Sequence, residues 1–407
     1  MIQKIFIFLT IALGTFPLLP LNFISILIIL WTGLALINAY RKRYIQEFSI
    51  LENRRYFWLI ALIVPYIIYL PFADDFEIMG NILQGYLPLL AFSIGFVLNK
   101  KTYSNKHIHY LFNTLIISMI LTNLKGWISI FEFGLNEAWS GNNFYSPLLR
   151  NFFSESTDIH PPYLGLLSVL AAIILLFRIL NTSKFLLPNG LGILFLLCST
   201  YVYTARMAML GFVICAIFLI WRHFTSYKIK TWSVILGVLA LLSLWFSPLK
   251  ERIRESIAQE WVLPHQGQQP NEVNFRYGIL YCSGQIIHEN FLFGVNPDKV
   301  QQSLNNCYSQ YTYSSYDDFT KINYNTHNQY IDFTIKFGVL GGLFLIVVLF
   351  CYFRNGHLLY QTFVLLIAFT FLTENIIDRQ IGMVTYALFN ALFIVFSDSY
   401  KGFLESE

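Results

Sequence analysis

Residues 21–43 read LNFISILIILWTGLALINAYRKR: twenty residues without a charge, then Arg41, Lys42 and Arg43 in succession. The hydrocarbon core of a bilayer is about 30 Å thick, and an α-helix rising roughly 1.5 Å per residue crosses it with about 20 apolar residues. The stretch is therefore one complete crossing, closed by a cation cluster of the kind retained on the cytoplasmic side. Upstream, the apolar run from Ile5 to Leu19 follows Lys4 as in a signal peptide. Leu21 follows at once, however, and no small-residue cleavage site intervenes, so both runs are expected to be retained spans. Downstream, apolar runs recur at 57–70, 83–98, 111–130, 163–180, 187–203, 207–221, 232–246, 331–353, 358–372 and 382–396. The sequence thus predicts an all-α polytopic membrane protein of about twelve helices.

Composition agrees. Of 407 residues, 56% are hydrophobic and 12% charged, against about a quarter charged in a soluble domain. The formal net charge of +4 comes from short clusters between apolar runs and gives no support to nucleic-acid binding. Arg54 and Arg55 extend the first cluster; Lys100, Lys101 and Lys106, then Lys184, then Arg222, Lys228 and Lys230, and finally Arg354 follow every second run. The alternate loops carry Asp74, Asp75 and Glu77, or Glu132, Glu137, Glu155 and Asp158. By the positive-inside rule both termini are cytoplasmic, and the long segment between the ninth and tenth runs faces outward. The chain divides into 1–247 (spans one to nine), 248–330 (outer loop) and 331–407 (spans ten to twelve and a tail).

The outer loop has helical periodicity. Ile279, Leu280, Ile286 and Ile287 share one face and Val300, Leu304 and Tyr308 another, with Gly294 and Pro297 between them, so two amphipathic helices are expected over the outer surface. Cys282 and Cys307 share this loop; in an extracytoplasmic compartment they are either disulfide-bonded or two free thiols. No metal-ligand spacing of cysteines occurs. The acid pairs Asp74, Asp75 and Asp317, Asp318 have the chemistry of divalent-cation ligands, but adjacent aspartates are more often solvated turn residues, and no metal or other cofactor is expected.

Ionisable residues at the membrane are costly, so their positions are informative. Lys125, Arg206, Arg276, His327, Glu374, Asp378 and Arg379 all fall on the outer side. Snorkelling to headgroups accounts for any one of them. Arg206 stands in a tight turn, Tyr203 to Met207, where its guanidinium can fork to phosphate oxygens, and Arg276 offers a second such fork. His327 precedes the tenth span, where the helix dipole favours a neutral imidazole fit for a general base; a loop histidine making an ordinary hydrogen bond is the alternative. His160, before Pro161 and Pro162, fits a residue preceding a proline-initiated helix. Tyrosines 308, 311, 313, 316 and 324 suit either sugar stacking or an interfacial aromatic belt.

Several stretches share an order: His160-Pro161-Pro162-Tyr163-Leu164-Gly165, Thr204 to Met207, Phe275-Arg276-Tyr277, Phe293-Gly294-Val295, Thr326-His327-Asn328-Gln329-Tyr330, Lys336 to Gly341, and Phe371 to Gly382 with Glu374, Arg379 and Gln380. In this order they resemble the signature of the O-antigen ligase and polymerase superfamily, over roughly the C-terminal two thirds of the chain. Asn296 departs from it, standing where the pattern has a second glycine. The resemblance implies a GT-C-like fold and metal-independent, inverting glycan transfer from an undecaprenyl diphosphate donor at the periplasmic face of the bacterial inner membrane. It implies that Arg206 and Arg276 hold the diphosphate, that His327 activates the acceptor hydroxyl, and that His160, Asn328, Glu374 and Arg379 support them. The implied acceptor is lipid A core for a ligase or a growing glycan for a polymerase; one large outer loop favours the ligase. A transporter or flippase also has about twelve spans, but is expected to show ionisable residues near the membrane midplane and related halves; neither is evident.

Overall fold

A computed structural model describes residues 1–44, 56–134, 147–182, 185–229, 272–311 and 323–396, with isolated positions at 231, 234–235, 237 and 263. The run expected at 232–246 and the loop from 248 to 271 lie largely outside the described residues. The described chain is helical, with no strand. Among the described residues six helices are long and apolar enough to cross a membrane: α2 (Leu21–Arg41), α4 (Phe76–Leu98), α5 (Asn105–Phe133), α7 (Pro161–Asn181), α9 (Arg206–His223) and α12 (Gln329–Asn355, of which Gln329–Arg354 is the apolar stretch). Five shorter apolar helices accompany them: α1 (Ile2–Leu18), α3 (Phe57–Phe72), α8 (Leu186–Val202), α13 (Leu358–Thr370) and α14 (Gln380–Val395). The remaining three, α6 (Pro147–Thr157), α10 (Glu272–Glu289) and α11 (Val300–Tyr311), are less apolar. The chain is a multi-pass membrane protein.

Local chemistry sets the helix ends. Pro161 and Pro162 open α7, where a missing N–H costs nothing. The Asp75 side chain accepts from the N–H groups of Glu77 and Ile78 and so starts α4 at Phe76, seven residues before the apolar run. Pro65 and Pro71 break α3 into alternating α and 3-10 turns. Every residue from Tyr163 to Leu175 in α7 and from Ile381 to Phe396 in and after α14 is buried. A helix apolar on all sides belongs in the interior, and these two form the centre that the others surround.

The loop helices α10 and α11 have a small core of their own: Ile279, Cys282, Ile286, Val300, Leu304, Cys307 and Tyr308, joined by Ile335 of α12. Cys282 and Cys307 are disulfide-bonded. The seam on α10 runs through 279, 282 and 286, so Leu280, expected on the apolar face, is exposed.

The α10–α11 connection is built into α12. At Gly338 the helix leaves helical geometry (φ 70°, ψ −172°), so the Val339 N–H cannot reach the Ile335 carbonyl four residues back. Instead Val339 N–H donates to Phe291 O (2.8 Å), and Ile335 O accepts from Val295 N–H (2.9 Å). A β-carbon on Gly338 would collide with the Leu292 carbonyl, and one on Gly294 (φ 71°) with the backbone of residues 335–338. Asn296 also has positive φ (77°), which asparagine tolerates better than most residues. Its Nδ2 donates to Phe72 O (2.7 Å), so replacing the expected glycine preserves the turn.

Gly338→Ala is expected to lower stability by about 2 kcal/mol or more, because strain and a backbone collision coincide. Gly33→Ala in α2, where an added β-carbon meets nothing within 4 Å, should raise it by up to about 1 kcal/mol. Thermal unfolding of the two purified variants in detergent checks the contrast.

Candidate functional site

Two turns at one end of the bundle are sewn together. Asn328 caps α12, its Oδ1 accepting from Tyr330 and Ile331 N–H (3.0 Å each), while its Nδ2 donates to Leu372 O (3.0 Å). Gln329 N–H donates to Phe371 O (2.9 Å), and its Oε1 accepts from Ile377 N–H (3.0 Å). The Thr326 hydroxyl reaches Asn375 Oδ1 at 3.1 Å. Segment 326–329 is thereby fixed against the 371–377 turn, with His327 and Glu374 facing each other. His327 Nδ1 lies 3.7 Å from Glu374 Oε2, with the histidine side chain 38% exposed and the glutamate 17%. His327 has φ 46°, and its N–H donates to Asn325 Oδ1 (3.1 Å), which steadies this left-handed residue.

The carboxylate is placed to orient the imidazole. With Nδ1 turned toward Glu374, the tautomer bearing its proton there leaves the Nε2 lone pair for an incoming hydroxyl. The gap exceeds a direct hydrogen bond, as is common before substrate binds.

His160 precedes α7 beside this pair. Its pKa is lowered: removal from solvent is the largest cause, Glu374 opposes it, and Arg150, His327 and Arg379 add to it. The side chain retains an exposed surface, so the protein mass around it, rather than full enclosure, produces the shift. His160 is thus neutral near pH 7. The Tyr163 hydroxyl donates to Asn375 O (3.3 Å), tying α7 to the same turn.

Arg276 stands exposed on α10. Its neighbour Phe275 lies 5.3 Å from the Tyr324 ring, which in turn lies 5.9 Å from the His327 ring, so α10 meets the site through aromatic contacts. Tyr324 is held by Tyr308 and Gln301, each donating to its carbonyl at 3.3 Å. Arg206 is the half-buried first residue of α9, after Thr204 at φ 58°. Its turn is anchored on α7: Gly165 has room only for hydrogen opposite Ala205 and Ala208, and Tyr203 donates to Ser168 Oγ (3.1 Å). The structure therefore sets His327 against Glu374 and brings His160 within electrostatic reach of both and of Arg379; α10 approaches through Phe275, while Arg276 is exposed on that helix and Arg206 follows the turn packed against Gly165 of α7.

Other acids are structurally engaged. Asp74 pairs with Lys299 (2.6 Å), and Asp298 Oδ2 accepts from the N–H groups of Asp74 and Asp75 (2.9 and 3.1 Å). Asp317 and Asp318 lie outside the described residues. Arg150, from α6, also acts on His160; its signal in the sequence was a lone cation in an otherwise acidic outer segment. A buried ion cluster was not foreseen, although Asp378 was noted among the outer-side ionisable residues: Lys336 Nζ lies 2.5 Å from Asp332 and 3.1 Å from Asp378, with Asp332 2% and Lys336 6% exposed. Opposite charges four residues apart in an apolar helix were its only local trace. They occupy the first two turns of α12, not its middle.

This arrangement defines a multi-pass membrane protein with a histidine–carboxylate pair at one end of the bundle, a chemistry suited to acyl or glycosyl transfer. The family pattern described as O-antigen ligase matches residues 191–346, a stretch that includes Arg206, Arg276 and His327. The match covers less than half of the chain and marks this stretch as similar to the O-antigen ligase family. His160 and the turn bearing Glu374 lie beyond the matched stretch and join it only in three dimensions. No curated protein matches the chain.

Lys336→Met, which strands buried carboxylates, should destabilise the protein by about 3–5 kcal/mol. The double variant Lys336→Met/Asp332→Leu should recover part of that loss. Denaturation midpoints of the wild type and both variants provide the comparison.

Proposed function

We propose that the chain transfers a glycan from an undecaprenyl diphosphate donor to an acceptor hydroxyl at the periplasmic face of the bacterial inner membrane, most simply as an O-antigen ligase acting on lipid A core. The observation that carries this reading is the His327–Glu374 pair, held by sewn turns in a chain whose family-matched stretch also contains Arg206 and Arg276.

His327 Nε2 takes the acceptor proton as the hydroxyl oxygen attacks the anomeric carbon. The bond from that carbon to the diphosphate oxygen breaks on the opposite face, so configuration inverts. Charge developing on the diphosphate meets the guanidinium groups of Arg206 and Arg276, whose planar forks match phosphate oxygens. Glu374 stabilises the imidazolium formed in this step, and Asn328 fixes the segment that carries His327. Arg379 and neutral His160 line the acceptor side. Domain limits of 1–247, 248–330 and 331–407 follow from about twelve crossings with cytoplasmic termini. The Cys282–Cys307 bond supports a periplasmic loop, since such bonds persist in oxidising compartments.

Reconstitution with lipid-linked glycan and lipid A core tests the mechanism. His327→Ala and Arg276→Ala should each abolish transfer in protein that still folds, while Glu374→Gln should slow it by roughly 10²-fold or more. Undiminished transfer by His327→Ala would remove the base. In cells lacking the protein, bare core with accumulated lipid-linked polymer marks a ligase; core bearing one repeat unit marks a polymerase.

A further inference from the structure

The turn between α10 and α11 carries Phe291, Leu292 and Phe293, which are 55%, 54% and 66% exposed. Three consecutive large apolar residues in water would be an unusual surface. Their level in the fold is set by the hydrogen bonds to Ile335 and Val339. The apolar part of α12, Gln329–Arg354, has 26 residues, hence a length of about 39 Å against a hydrocarbon core of about 30 Å. Even if the whole excess of about 9 Å projected on the outer side, it would be used up by about Ile335, and any share projecting at Arg354 sinks the contact deeper.

The backbone of the turn suits that depth. Phe291 O accepts from Val339 N–H and Phe293 O from the Tyr69 hydroxyl (2.6 Å); Gly294 N–H donates to Asn290 O and Val295 N–H to Ile335 O (both 2.9 Å). Four of the turn's main-chain groups are thus satisfied within the protein while the three side chains stay exposed, which favours irregular backbone at membrane depth. On either side the chain turns polar, with Glu289 and Asn290 before and Asp298 and Lys299 after. Below the contact, Leu340, Leu343 and Phe350 continue the exposed apolar surface down α12.

We infer that Phe291, Leu292 and Phe293 form a re-entrant wedge seated among the acyl chains of the outer leaflet, making the loop an integral part of the membrane domain. The inference does not depend on the reaction catalysed.

Spin labels on Phe291→Cys, Leu292→Cys and Phe293→Cys test it in lipid nanodiscs, in full-length protein carrying Cys198→Ala, Cys215→Ala and Cys351→Ala and retaining the Cys282–Cys307 bond. Dissolved oxygen should relax these labels as strongly as one at Leu343→Cys, and a water-soluble nickel complex should reach them severalfold less than one at Gln302→Cys. Nickel access equal to that at Gln302→Cys would overturn the wedge, and exclusion of both reagents would replace lipid with a second protein surface. An unlabelled pair gives an independent reading: Phe293→Lys should unfold in nanodiscs at a clearly lower temperature than Phe293→Leu, and equal midpoints would count against the inference.

Discussion

Inside a membrane a backbone N–H or C=O without a partner costs several kcal/mol, and α12 contains a break that would leave two. Gly338 takes a conformation closed to other residues without strain, and the Ile335–Val339 hydrogen bond is lost. The outer loop supplies both missing partners, Phe291 O and Val295 N–H. This exchange fixes the loop in register with a membrane helix to within one residue. Because the disulfide and the apolar seam hold α10 to α11, fixing their connection positions the pair as a unit. The approach of α10 to His327 descends from it, since α10 carries Phe275 to Tyr324, whose ring lies near His327.

The second constraint acts across the top of α12. Its first residues are occupied in capping the helix and bonding to the 371–377 turn, which leaves His327 outside the helix and pointed at Glu374. A histidine on a loop has little positional accuracy of its own. Here the loop is only a few residues long and is bonded at Asn325, Thr326, Asn328 and Gln329, so the imidazole gains the rigidity of the helices below it.

Much of this was legible in the sequence. Unbroken apolar runs gave the spans, and a 3.6-residue period gave the two loop helices, because both signals are local. His327, Glu374, His160 and the two arginines were each picked out by cost or position at the membrane. The meeting of His327 with Glu374 was carried only by the order of short motifs, since the two stand 47 residues apart in a chain whose intervening helices fix the distance. The break in α12 escaped because a glycine within an apolar run looks like any other. Leu280 was misassigned because Cys282, rotated from it on the same helix, is bonded to α11 and turns the seam.

The buried ions remain to be accounted for, since replacing such a cluster with apolar side chains often costs nothing and can stabilise. Asp332 lies in the first turn of α12, where the helix dipole favours a carboxylate, and Lys336 joins it to Asp378 from the opposing turn. Asn375 Nδ2 also reaches Asp378 Oδ2 (3.3 Å), so the residue next to Glu374 is drawn into the same cluster. Apolar packing is non-directional and would let the 371–379 turn slide along α12 at little cost, whereas an ammonium shared between two carboxylates has one favourable register. That register sets the height of Glu374 against His327. The ion cluster is therefore best understood as the part of the structure that specifies position, with stability supplied by the apolar helices around it.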